Sequence, residues 1–276
     1  MHAPIESKAD LRRKFQKKKA MLPALTEDEA RVRDPFSHKP IKARQDDPEY
    51  AGELANLDEN IGRLLRGLET AGVAGNTVVI FTSDNGGRSA LEWHGHPTSV
   101  QPLRGGKTFL FEGGIRVPLI IRWPGVTQPG SVCKTPVISM DFYPTLTNLA
   151  GVAVESKKLD GVSLIPLLKG QAIQRTDLFW HFPHYQGEGA YPASAIRSGS
   201  YKLIRHDHFD RDQLFDLARD PNEKNDLFEE EKDRAKAMGE KLKRRLDTMG
   251  AHRPVKNTRD DIVDTISERY KDRNPQ

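Results

Sequence analysis

The unit that most constrains how this chain can fold runs from Asp47 to Thr82. Asp47 stands before Pro48, and Leu54, Leu57, Ile61, Leu64, Leu65 and Leu68 then recur at helical spacing until Gly72. A carboxylate can accept the orphan N–H groups of a first turn, proline lacks one of them, and glycine past the last apolar residue can end the helix left-handed. The spacing therefore predicts a helix with one buried leucine face. Thr77 to Thr82 follows as a β-branched and aromatic run, which predicts a strand covered on both sides. The pattern recurs with a strand at Val117 to Arg122 and a helix capped by Asp141 that runs through Ala150 to Gly151. Such alternation predicts an α/β fold with a mostly parallel sheet.

Elsewhere the pattern differs. Residues 1 to 45 are basic and broken by Pro4, Pro23, Pro35 and Pro40, with one short helix expected over Lys8 to Ala20. Beyond about residue 172, Ala193 to Ile196 and Tyr201 to Arg205 flank Ser198-Gly199-Ser200, a hairpin signal, and Gln213 to Leu217 enters the turn Asp220-Pro221-Asn222. Asp226 to Met249 then reads as a charged amphipathic helix with Leu227, Ala235, Met238, Leu242 and Leu246 near one face. The expected division is a partial α/β core at 1–172, an antiparallel-sheet and helix subdomain at 173–250, and a polar tail at 251–276. There is no internal repeat.

Composition excludes some classes. With 276 residues, 36% of them apolar, the chain can bury a sizeable core. Its longest apolar runs fall far short of the roughly 20 residues a membrane helix needs. Its formal charge of +4 is modest, and the basic segments Lys8 to Lys19 and Lys241 to Arg245 read as solvated helix faces. The first of these holds only Phe15 as an aromatic, so it is no stacking platform for nucleic acid. A single cysteine, Cys133, excludes an internal disulfide framework and leaves the compartment open. No apolar signal segment precedes the first charges.

The chemistry concentrates between Thr77 and Lys107. The strand delivers Asp84 and Asn85 into the turn Gly86-Gly87, at the carboxyl end where α/β sheets bind ligands. Asp, Asn and Gly are also common turn formers. A carboxylate beside an amide carbonyl nevertheless offers two hard oxygens suited to Ca²⁺ or Mg²⁺. Leu103-Arg104-Gly105-Gly106-Lys107 then combines glycines that admit close backbone approach with an ammonium for an anionic oxygen. Downstream, Glu112 and Arg116 are expected to brace the loop as an ion pair.

Six passages taken together resemble the type I sulfatases of the alkaline phosphatase superfamily: FTSDNGG, LRGGKTFLFEGGIRVPLIIRWPG, MDFYPTLTNLAGV, LDGVSLIPLLKG, AIRSGSYKLI and LFDLARDPNEKNDL. The similarity runs in family order from His2 to about Leu246. It implies an alkaline-phosphatase-like fold, with a mixed, mostly parallel sheet flanked by helices and a small C-terminal lobe of antiparallel sheet plus helix. It implies hydrolysis of the sulfate ester of an aryl or sugar substrate. By resemblance, Asp84 and Asn85 ligate Ca²⁺, Lys107 binds the sulfate, and His2 of His2-Ala3-Pro4 assists the leaving oxygen. His94 and His96, and then His181 and His184 with Tyr185, are candidate substrate contacts. Family members are commonly exported.

The departures matter as much. The family's formylglycine arises from Cys-x-Pro-x-Arg or a serine equivalent, whereas Cys133 lies in Cys133-Lys134-Thr135-Pro136-Val137, and neither Ser139 nor Ser194 opens such a motif. The family's early aspartate pair is also absent. The chain thus resembles the carboxy-terminal portion of a sulfatase, expected to be inactive alone and to partner the missing amino-terminal segment. Two other readings stand beside this one: a phosphate or phosphonate ester hydrolase of the same superfamily, and a noncatalytic anion-binding remnant.

Overall fold

The structure is a computed structural model that describes residues 5–91, 97–153, 159–175 and 177–254. His2, His94 and His96 lie outside the described residues. Helix α1 spans Ala9–Ala20, strands β1 and β2 are the short pair Arg31–Val32 and Ile41–Lys42, and helix α2 is Pro48–Thr70. Strand β3, Val79–Thr82, is followed by helix α3, Glu112–Ile115, and strand β4, Leu119–Arg122. Helices α4, Phe142–Leu149, and α5, Ile165–Leu168, lead to strands β5 to β8 at Asp177–Phe182, Ala193–Ser198, Tyr201–His206 and Arg211–Asp216. Helix α6, Lys232–Thr248, closes the described chain.

The β5–β8 sheet is antiparallel with strands in sequence order, and both its faces are covered. Gly199, at φ +60°, supplies the positive φ that the tight β6–β7 turn needs. Register then puts Ile196, Leu203 and Leu214 on one face, where Ala235, Met238, Leu242 and Leu246 of α6 pack. Ile196, Leu203, Leu214 and Leu242 are fully buried. Each contributes roughly 1.5–3 kcal/mol of transfer free energy. Ala195, Ile204 and Phe215 face the other way, against Phe36 and Phe109 to Phe111. Helix α6 starts later than its charge pattern suggests, because Asp226 instead accepts from Leu214 N at 3.0 Å and Phe228 N at 3.1 Å.

Three expectations are corrected. Strands β3 and β4 pair antiparallel, Val79 opposite Arg122 and Thr82 opposite Leu119, and every strand pairing among the described residues is antiparallel. A parallel pair needs a crossover of a dozen or more residues, usually helical, whereas the described residues of this connection fold back through glycine loops and hold one helix, the one-turn α3. Nor is the leucine face of α2 buried: Leu54, Leu57 and Leu64 are exposed, as are Phe81 on β3 and Ile120 on β4. Helix α2 packs instead through Gly52 against Ser7, at the foot of α1. Finally, Asp141 does not cap α4 through its side chain. Its buried carboxylate holds Arg175, Ile138 N and Val162 N, fastening three segments together.

Candidate functional site

The Asp84 turn and the Lys107 loop are joined by glycine backbones packed without side chains between them. Gly86 N donates to Gly114 O at 2.8 Å, Gly113 N to Arg104 O at 2.8 Å, and Lys107 N to Gly87 O at 2.9 Å. A Cβ on Gly86 would stand 1.8 Å from Gly113 O, and one on Gly114 would stand 2.0 Å from Phe109 O. Only glycine allows passages 86–87, 105–106 and 113–114 to interlock this closely. Interlocking is what brings the carboxyl end of β3 beside the lysine.

Asp84 is exposed and Asn85 half-buried. Asp84 Oδ1 accepts from Asn85 N at 2.9 Å, and Asn85 Nδ2 donates to Gly86 O at 2.8 Å, which uses the amide's donor and leaves its oxygen for a ligand. These two oxygens fit Ca²⁺ in kind. They do not fit it in number, since Ca²⁺ takes 6–8 oxygens and, among the described residues, no cluster of three His, Cys, Asp or Glu gathers to hold a metal. Lys107 is half-buried on its loop, and Thr108 beside it holds a positive φ of 78°.

Behind the loop lies a charge network that the sequence did not announce. Lys202 of β7 is fully buried, with Nζ 2.8 Å from Glu112 Oε1, 2.6 Å from Glu223 Oε1 and 3.0 Å from Leu110 O. Glu223 also accepts from Glu112 N at 2.6 Å. Burial pushes the Glu223 carboxyl up, a tendency that Lys202 opposes. Arg104, a residue of the glycine loop itself, grips Asp34 at 2.6 and 3.0 Å, donates to Glu223 O and lies 3.9 Å over the Phe111 ring. Glu112 and Arg116 do approach, at 3.8 Å, but Lys202 is the closer partner. The network fixes the Lys107 loop to the four-stranded sheet.

His181 on β5 engages both ring nitrogens within the fold, Nδ1 with Ser194 Oγ at 2.8 Å and Nε2 with His252 O at 2.6 Å. His184 is exposed and meets the Phe182 ring edge-on. Its loop reaches the Asp84 side of the molecule through the ion pair of Arg88 with Glu188 at 3.1 Å. Exposed Tyr185 bonds His208 Nδ1 at 2.8 Å. His206 sits under Phe36 in a stacked contact, and burial first, with Arg104 and Arg211 nearby, lowers its pKa to about 4 against the pull of Gln213 and Asp34.

The chain is similar to known proteins over most of its length. The Sulfatase family profile matches residues 1–152, and that of N-sulphoglucosamine sulphohydrolase, C-terminal, matches residues 106–252. A Formosa agariphila protein named Sulfatase is 34% identical over 250 residues, covering 83% of this chain and 40% of its own length. Human steryl-sulfatase is 33% identical over 229 residues, covering 70% of this chain and 38% of its own. A structure solved with its substrate D-glucosamine-2-N,6-O-disulfate superposes with a TM-score of 0.62 at 32% identity, over 72% of this chain and 40% of that one. The fold is therefore of the alkaline-phosphatase-like class. The chain belongs to the sulfatase family. It spans about 40% of the length of the relatives it matches.

Proposed function

We propose that these residues form one side of a sulfate-ester hydrolase site that takes a sulfated sugar. Lys107 holds the sulfate, Asp84 and Asn85 supply oxygens to a shared Ca²⁺ and His2 serves the leaving oxygen. The observation that supports this most is the glycine interlock, which sets the hard-oxygen turn and the ammonium on adjacent backbone segments. The sugar preference rests on the structural relative solved with a sulfated glucosamine. Within this sequence the family's formylglycine motif does not occur. The residues present therefore carry the binding half of the chemistry, and the covalent step requires a nucleophile from elsewhere.

Calorimetric titration of the protein with glucosamine-6-sulfate and glucosamine-6-phosphate, in Ca²⁺, tests the reading. Saturable binding that favours the sulfate and weakens at least tenfold in Lys107→Ala is expected. Equal binding by Lys107→Ala removes the assignment, and a preference for the phosphate favours the phosphate-ester reading.

A further inference from the structure

Five rings outside the two core clusters meet at one end of the β5–β8 sheet. They come from three separate segments: His38 from the link between β1 and β2, Tyr185 and Tyr191 from the β5–β6 loop, and His208 and Phe209 from the β7–β8 turn. Half-buried Tyr191 is their hub. Its ring stacks on His208 at 4.5 Å and 17°, and makes edge-on contacts with Phe209 at 4.9 Å, His38 at 5.3 Å and Tyr185 at 6.0 Å. Yet the outer rings stay in water: His38 and His208 are exposed, as are Tyr185 at 62% and Phe209 at 37%. Of the five, Tyr185 alone stood among the candidate substrate contacts that the resemblance implied.

The backbone fixes this surface in advance. His38 N donates to Gly189 O at 3.1 Å, Ser37 forms a β-bridge with Ala190, and Asp207 N donates to Pro192 O at 3.1 Å, so the other two segments are both fastened to the β5–β6 loop. Phe209 rests edge-on against buried Phe36 at 5.1 Å. A ligand that meets a surface already ordered loses less affinity to ordering it. What the surface can hold follows from its shape and charge. Aromatic faces are negative, and they receive the positively polarised C–H face of a sugar ring, while the tyrosine hydroxyls and imidazole nitrogens at the rim suit its hydroxyls. Packing at 4.5–6.0 Å leaves no gap around the Tyr191 ring for a quaternary ammonium, which needs an open cage. Asp207 and Asp210 flank His208 and Phe209, and Arg211 is paired with Asp226 at 3.6 Å, so this turn offers no free cation to the phosphates of a nucleic acid. An uncharged sugar ring fits best.

We propose that His38, Tyr185, Tyr191, His208 and Phe209 form a stacking platform for an uncharged sugar ring, so that the ligand of this protein is an oligosaccharide with unsulfated as well as sulfated residues. The same loop serves the other site: Glu188, three residues past Tyr185, pairs at 3.1 Å with Arg88, three residues past Asn85. The oligosaccharide clause rests on the sulfated-sugar reading of Lys107. The platform itself does not.

Calorimetry and saturation-transfer NMR with chitotriose, an uncharged oligomer of N-acetylglucosamine, provide the test. The wild type should bind chitotriose saturably, with saturation passing to its ring C–H protons. His38→Ala/His208→Ala, at two exposed positions, should weaken that binding roughly fivefold while leaving the melting temperature and the affinity for glucosamine-6-sulfate unchanged. His208→Phe keeps a ring and should stay within about twofold of the wild type. Chitotriose carrying one 6-sulfate should bind more tightly than either chitotriose or glucosamine-6-sulfate, and no such gain overturns the oligosaccharide clause. Absence of saturable chitotriose binding overturns the platform, as does equal binding by the double variant. Tighter binding of an oligothymidylate, lost in the double variant, assigns the rings to nucleic acid, contrary to the proposal. If Lys107→Ala leaves glucosamine-6-sulfate affinity unchanged, the sulfate reading and the oligosaccharide clause fall, and the platform still stands or falls on chitotriose.

Discussion

Replacing Lys202 by methionine tests how the Lys107 loop is held. The ammonium stands within 2.6–2.8 Å of Glu223 and Glu112, whose side chains are 0% and 3% exposed, and it also satisfies Leu110 O. Methionine fills similar volume and leaves two buried carboxylates facing each other, with the mostly exposed Arg116, 3.8 Å from Glu112, as the nearest remaining counter-charge. Breaking a buried pair by removing one partner costs about 3–5 kcal/mol. Urea denaturation followed by circular dichroism should therefore show a loss of about that size for Lys202→Met with m unchanged. The triple variant Lys202→Met/Glu112→Gln/Glu223→Gln should recover most of it, because no uncompensated charge remains. Glu223 adds a sign to the prediction: burial already raises its pKa, so the Lys202→Met deficit should shrink as pH falls through that raised value. A loss under about 1 kcal/mol, or a triple variant no better than the single one, would mean that the Lys202 ammonium does not hold the two carboxylates in the fold.

Other outcomes follow from the same structure. His206 is buried with its pKa lowered from 6.5 to about 4, so its neutral form stabilises the fold above pH 6.5 and that contribution drains away as pH falls toward 4. The loss is roughly 3 kcal/mol, and His206→Gln should flatten that part of a urea-stability profile against pH. Gly86→Ala should destabilise and impair sulfate binding, its Cβ meeting Gly113 O at 1.8 Å, whereas Gly67→Ala on α2 meets nothing within 4 Å. By melting curves the latter should gain about 0.5–1 kcal/mol from helix propensity. Ile120→Lys, on an exposed β4 position, should reduce self-association by light scattering without lowering the melting temperature.

Much of the C-terminal half was legible because its signals are local. Gly199 sets the β6–β7 turn, alternation sets which residues of β6 to β8 face α6, and the Leu242 and Leu246 stripe marks the helix's buried face. The β3–β4 pairing was not legible, since a β-branched run gives a strand but no direction. The glycine passages pointed to close approach without saying to what; Gly86 meets Gly113, a partner 27 positions on. Lys202 was invisible as a buried charge. It lies in Tyr-Lys-Leu-Ile-Arg, where a strand lysine reads as solvent-facing, and only the return of Glu112 and Glu223 to it makes burial tolerable. His181 stood as a candidate substrate contact through the family resemblance alone, and in the fold Ser194 and the His252 carbonyl occupy its nitrogens.

The proposed site requires the Asp84–Asn85 turn and Lys107 to act on one ligand. The most direct test titrates glucosamine-6-sulfate into the protein with and without Ca²⁺. If both sides form one site, Ca²⁺ should tighten sulfate binding at least fivefold, sulfate should tighten Ca²⁺ binding by the same factor, and Asp84→Ala should abolish both effects. Affinities for sulfate that are equal with and without Ca²⁺, in wild type and Asp84→Ala alike, would contradict it.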